Sequence, residues 1–164
     1  MKTVFVLLAL FLATACQSSN NDKSAPAAPA AKENSKVVDT TPYSDCDRGT
    51  PAYKVQGVWK KNLESNGLQT EMTLAIYDGY MMASAHCSMQ GRSLAAKANS
   101  RISITATEFS ILDYQDDKQI IDEPNFKMDC NVNLKPIRFQ YSFRGSCLVL
   151  KPENYEAATF IPAR

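Results

Sequence analysis

From Val55 onward, apolar and polar residues alternate with period two, the spacing of half-buried β-strands. The clearest stretch is Leu68–Met89, divided by Asp78-Gly79. That pair is a two-residue turn signal of the type I′ kind, in which both central residues accept positive φ. Folding about it sets Tyr77 against Tyr80, Ile76 against Met81, Leu74 against Ala83, Met72 against Ala85 and Thr70 against Cys87. One face then collects Leu68, Met72, Leu74, Ile76, Met81, Ala83, Ala85 and Met89. The other collects Gln69, Glu71, Thr73, Ser84, His86 and Ser88. Turn chemistry and alternation, read separately, give one register.

Other segments follow the same rule. Gln90-Gly91 turns the chain into Arg92–Ala98, with Leu94, Ala96 and Ala98 inward. Arg101–Thr107 and Glu108–Tyr114 read as two further strands. Phe126–Leu134 alternates from Phe126 through Met128, Cys130 and Val132 to Leu134. In Ile137–Arg144 the inward set is Ile137, Phe139, Tyr141 and Phe143. Gly145-Ser146 turns into Cys147–Lys151, and a short strand covers Ala158–Ile161. No segment after Cys16 holds a helical period. Many short strands joined by tight turns predict an all-β fold, a small antiparallel up-and-down barrel of about eight strands. Closure is favoured because it removes exposed strand edges.

The first residues set the address. Lys2 supplies a positive start, Val4–Ala15 is an apolar run of twelve residues, and Ala13-Thr14-Ala15 precedes Cys16. The run is too short for a membrane span, which needs about 20 apolar residues. This segment resembles a bacterial lipoprotein signal, whose lipobox ends in small residues before the cysteine that becomes lipidated. The resemblance implies a signal peptide over 1–15, lipidation of Cys16 and a membrane anchor. Residues 16–42 then form a Ser-, Asn-, Ala- and Pro-rich linker with no core-forming period. In such lipoproteins an Asp after the cysteine marks inner-membrane retention; Gln17 therefore implies the outer membrane, on its periplasmic or surface face.

Residues 43–164 are the folded domain, with fourteen Lys/Arg and fourteen Asp/Glu scattered along it. No basic stretch offers a nucleic-acid footprint, so no nucleic-acid partner is expected. Cys46, Cys87, Cys130 and Cys147 make an even set in an exported chain and read as two disulfides. Strand parity favours Cys87–Cys130 with Cys46–Cys147. Bridged Cα atoms within about 7 Å conflict with facing sheets about 10 Å apart, so the inner pair must lie near a rim or a flattened region. No Cys spacing suits a metal, and none is expected.

Two further stretches carry a resemblance. Val55-Gln56-Gly57-Val58-Trp59-Lys60 looks like the Gly-x-Trp first strand of lipocalin-like barrels. Tyr141–Leu150 is similar to the closing hairpin of small bacterial lipocalin-like lipoproteins. The resemblance implies a calycin-type barrel in which Trp59 plugs the closed end.

His86 is the single histidine and falls on the outer face opposite Glu71, a surface pair. Without a Gly-x-Ser-x-Gly elbow or a His-x-x-x-His pair, neither an enzyme nor a cofactor is expected. The acidic run Asp113, Asp116, Asp117, Asp122 and Glu123 lacks the glycine of a calcium loop and reads as a solvated connection. The inward alanines Ala83, Ala85, Ala96 and Ala98 leave volume that large side chains or a ligand must occupy. Two functions follow. Trp59, Met72, Leu74, Met81, Ala83, Ala85, Ala96, Phe139 and Tyr141 line a pocket for a small hydrophobic ligand. Alternatively the barrel is filled and serves as a structural or protein-interaction module of the envelope, using Tyr77, Tyr80, Met82 and the acidic run.

Overall fold

The computed structural model describes residues 36–163. The signal peptide, Cys16 and most of the linker lie outside the described residues. Among those described there is no α-helix, only a short 3-10 turn at Tyr43–Asp45. The strands are β1 (Val38–Asp39), β2 (Gly57–Ser65), β3 (Leu68–Ile76), β4 (Tyr80–Met89), β5 (Arg92–Ile104) and β6 (Glu108–Ile111). They continue with β7 (Gln115–Glu123), β8 (Phe126–Leu134), β9 (Ile137–Arg144), β10 (Cys147–Pro152) and β11 (Ala158–Pro162). Eight of them close a ring in the order β2-β3-β4-β5-β6-β9-β10-β11, and β11 returns to β2. Every ladder is antiparallel. The chain therefore forms the closed barrel expected from its period-two pattern, with β7 and β8 forming a separate two-stranded sheet that shares no backbone ladder with the ring.

The expected β3–β4 register is the observed one: Ile76 pairs with Met81, Leu74 with Ala83, Met72 with Ala85 and Thr70 with Cys87. The turn type differs, because only Gly79 takes a positive φ, of 80°. Tyr77 N–H still donates to the Tyr80 carbonyl at 2.9 Å, so register survives the change. Turns with two positive φ values occur at Asn66-Gly67 (51° and 75°) and Gln90-Gly91 (51° and 76°). These are the type I′ positions, and Asn-Gly is its strongest sequence signal.

Three expected boundaries move. Arg92–Ala98 and Arg101–Thr107 are one strand of 13 residues, since Ala98, Ser100 and Ile102 keep the same inward parity. β6 stops at Ile111 rather than Tyr114. The acidic run is no loop: Gln115–Glu123 is β7, laddered to β8 from Gln115↔Leu134 to Glu123↔Phe126. Nearly all of β7 is solvent-exposed, so it has no apolar face to announce it. Two linker residues, Val38 and Asp39, also add to the edge of β2 opposite Glu64 and Leu63.

Candidate functional site

The barrel interior has two unlike halves. One is aromatic. Trp59 Nε1–H donates to the Val55 carbonyl at 2.8 Å, and its ring lies 6.3 Å from that of Phe143. A Cβ added to Gly57 would lie 3.6–3.8 Å from the indole, ordinary contact, but the φ of 151° disfavours any side chain there. Phe109 and Phe139 meet at 5.7 Å, and Tyr141 leans on Phe143 at 5.9 Å with its hydroxyl donating to the Thr105 carbonyl.

The other half is lined by Ala83, Ala85, Ala96 and Ala98, all buried. Against these inner faces of β4 and β5 lies β8. Its Met128, Cys130, Val132 and Leu134 are fully buried and belong to the same apolar cluster as the alanines. The alternation expected for Phe126–Leu134 is present, but the strand forms a second layer instead of a segment of wall. An eight-stranded barrel is just wide enough for side chains to fill or for one small ligand. A row of methyl groups is what lets a further strand lie there.

That closeness resolves the disulfide geometry. Cys87 and Cys130 are bridged with Cα atoms 5.7 Å apart, well under the spacing of ordinary stacked sheets, because the neighbouring lining is alanine. Cys46–Cys147 is the second bridge, with Cα atoms 5.1 Å apart. Cys147 has outward parity on β10, yet it is fully buried beneath the chain at Cys46. Ser146 N–H donates to the Cys46 carbonyl at 2.8 Å. A Cβ on Gly145 would come within 2.2 Å of that carbonyl, so the strap requires glycine there.

The acidic run has a defined task. β6 covers only Ile102–Ile104 of β5, which leaves the backbone edge between Arg92 and Arg101 without a ladder. Asp113 accepts from Arg101 N–H, Gln115 Oε1 from Asn99 N–H and Asp117 from Lys97 N–H. Three alternate side chains thus stand in for strand carbonyls on three alternate amides. This blunts an edge that would otherwise invite pairing. Hydrogen bonds from Ser100 and then Arg101 hold the Asp113 carboxyl below its usual range. The hydrogen bond that Lys118 donates to the Asp129 carboxylate, 2.7 Å away, raises the Lys118 pKa.

A second polar cluster ties the N-terminal segment down. Lys61 shares inward parity with Trp59 and reaches Asp39, with the Tyr43 hydroxyl 2.9 Å from its Nζ. Burial pushes Asp39 up, but hydrogen bonds from Lys61, Thr41 and Tyr43 outweigh it and hold the carboxyl below its usual range. Parity from Trp59 through Lys61 would have placed this lysine inward; the aspartate partner carried no sequence signal.

The residues expected to line a pocket are therefore brought together. Trp59, Met72, Leu74, Met81, Ala83, Ala85, Ala96 and Phe139 are buried and Tyr141 is half-buried. Two concavities lie elsewhere, on the outer wall. One of about 710 Å³ includes Ser103, Glu108, Ser110, Arg138 and Glu153. The other, about 360 Å³, includes Glu64, Gln69, Glu71, His86 and Ser88. None of the expected pocket residues lines either. His86 does sit opposite Glu71, but Glu71 makes its ion pair with Lys60, at 2.9 Å. Among the described residues, no three His, Cys, Asp or Glu side chains gather as metal ligands would. No family model matches the chain, and searches of curated proteins and of solved structures return no match.

Proposed function

We propose that this chain is a lipoprotein of the bacterial envelope, anchored through Cys16, whose filled barrel works as a structural or protein-interaction module. The observation behind this reading is the burial of Met128, Cys130, Val132 and Leu134 against the alanine lining. The small residues that suggested a lipid pocket have an occupant in the same chain. Drug-sized and lipid-sized ligands require a concave apolar space of roughly 300–1,000 Å³, and β8 takes the position where it would lie. Action then passes to the outer wall.

Two measurements test this. Titrating the oxidised protein with palmitate while following Trp59 emission should give no saturable change; saturable quenching would overturn the filled-barrel reading in favour of a carrier. Radiolabelled palmitate should enter the wild-type chain in bacteria and not a Cys16→Ser variant. Equal labelling of the two chains removes the anchor from the proposal.

A further inference from the structure

We propose that the outer wall around Tyr77 and Tyr80 rests on the phospholipid surface, so that the barrel lies on its side against the membrane that anchors it. This inference depends on the anchored reading above. Tyr77 and Tyr80 are 42% and 48% exposed, and their rings stack at 4.7 Å with an interplanar angle of 18°. Beside them on the same face stand Val58 and Met82, at 40% and 37% exposure. Register joins the set into one patch, since Val58 pairs with Ala75 and Ala75 with Met82. Ala75 has outward parity yet is only 3% exposed, because its larger apolar neighbours close over it. In register beyond Tyr80 comes Arg101, whose carbonyl bonds to the amide of the exposed Leu112.

The composition suits an interface rather than a dry protein core. Tyrosine has an apolar ring and a polar tip, and settles at headgroup level in membrane proteins. Arg101 pairs through its Nε with Asp113 at 2.9 Å while its side chain stays 77% exposed at the edge of the patch. Its remaining guanidinium donors therefore face outward, as a headgroup contact would need.

Span supplies the second argument. Lys36 lies twenty residues after Cys16, a reach of at most about 70 Å. The longest barrel strand, β5, has 13 residues, or about 43 Å. The tether enters at the β2 end near Glu64, opposite the Tyr77–Tyr80 turn, and is long enough for the barrel to lie down. Confinement of this kind gives an effective concentration on the order of millimolar, so a weak patch suffices. A bilayer is the one large partner that an anchor at Cys16 guarantees within reach.

The test uses the mature chain with hexahistidine in place of Cys16, held on nickel-chelating vesicles of phosphatidylethanolamine and phosphatidylglycerol. This tether does not depend on lipid modification, so failure of docking and failure of the anchored reading are separable. In a Tyr80→Trp variant, the introduced indole should shift to the blue and lose most of its emission to brominated lipids, with Trp59 as an unchanged internal reference. Arg138→Trp, on the outer face of β9, should show neither effect. Adding Tyr77→Ser and Met82→Ser to the first variant should abolish the quenching. If the indole at position 80 is not quenched, or position 138 is quenched equally, the proposal fails. Concentration-dependent self-association that shields position 80 without bromolipid quenching also overturns it, and assigns the patch to a second copy.

Discussion

The hairpins β3–β4 and β7–β8 are built by opposite means. β3–β4 is wall: one face apolar, one polar, with backbone ladders on both sides to β2 and β5. β7–β8 has its ladder only within itself. It is held by a buried apolar row on β8, one disulfide, and polar side chains reaching from β7 to the β5 edge. A wall hairpin needs a correct register; an inserted one needs a lining small enough to receive it. The alanines of β4 and β5 are that lining, so each hairpin accounts for part of the other's sequence.

Removing the staple should break this relation most severely. Replacing Cys87 and Cys130 together by alanine opens a loop with a sequence separation of 43, a loss of about 4 kcal/mol on chain-entropy grounds. Chemical denaturation should show it, and amide exchange should rise first in β8. Next comes Ala96→Leu. Beneath β8 the extra carbons have no room, and overpacking costs about 1–3 kcal/mol. A near-neutral melting temperature for that variant would mean unfilled space beside Ala96. Asp117→Ala removes the cap on Lys97 N–H and should cost about 1 kcal/mol, with faster exchange of the Lys97 amide and no change at Thr73 in β3.

The smallest effect is one of pH. Asp39 and Asp113 have folded-state carboxyls held below their ordinary values. Such groups contribute stability that is complete above the unfolded pKa, about 3.9. It is lost as pH falls through the lower folded value. Acid unfolding followed by circular dichroism should therefore be shallower below about pH 4 in Asp39→Asn than in wild type. An unchanged acid limb would mean that the carboxylate does not hold the N-terminal segment.

The legible and illegible parts divide along the same line. Leu68–Met89 could be read to the residue, because turn residues and a one-sided apolar face specify a wall strand twice over. The Cys87–Cys130 pairing followed from parity alone. Gln115–Glu123 could not be read, since a strand exposed on both faces has no hydrophobic period and its acidic residues imitate a loop. Phe126–Leu134 was recognised as a strand, but alternation tells which residues are buried, not what buries them. Wall and insert present the same pattern. The alanine row held the missing information: small inward residues on two adjacent strands mark space for something, and the occupant lay in the same chain.

The most direct test of that occupancy is a methyl NOE spectrum of the oxidised protein with labelled Ala, Val and Leu. A filled barrel requires cross-peaks linking the Ala85, Ala96 and Ala98 methyls to those of Val132 and Leu134, unchanged when palmitate is added. Alanine methyls that lack those cross-peaks, and acquire contacts to the palmitate chain instead, would show an open cavity and contradict the reading of β8 as the barrel's own filling.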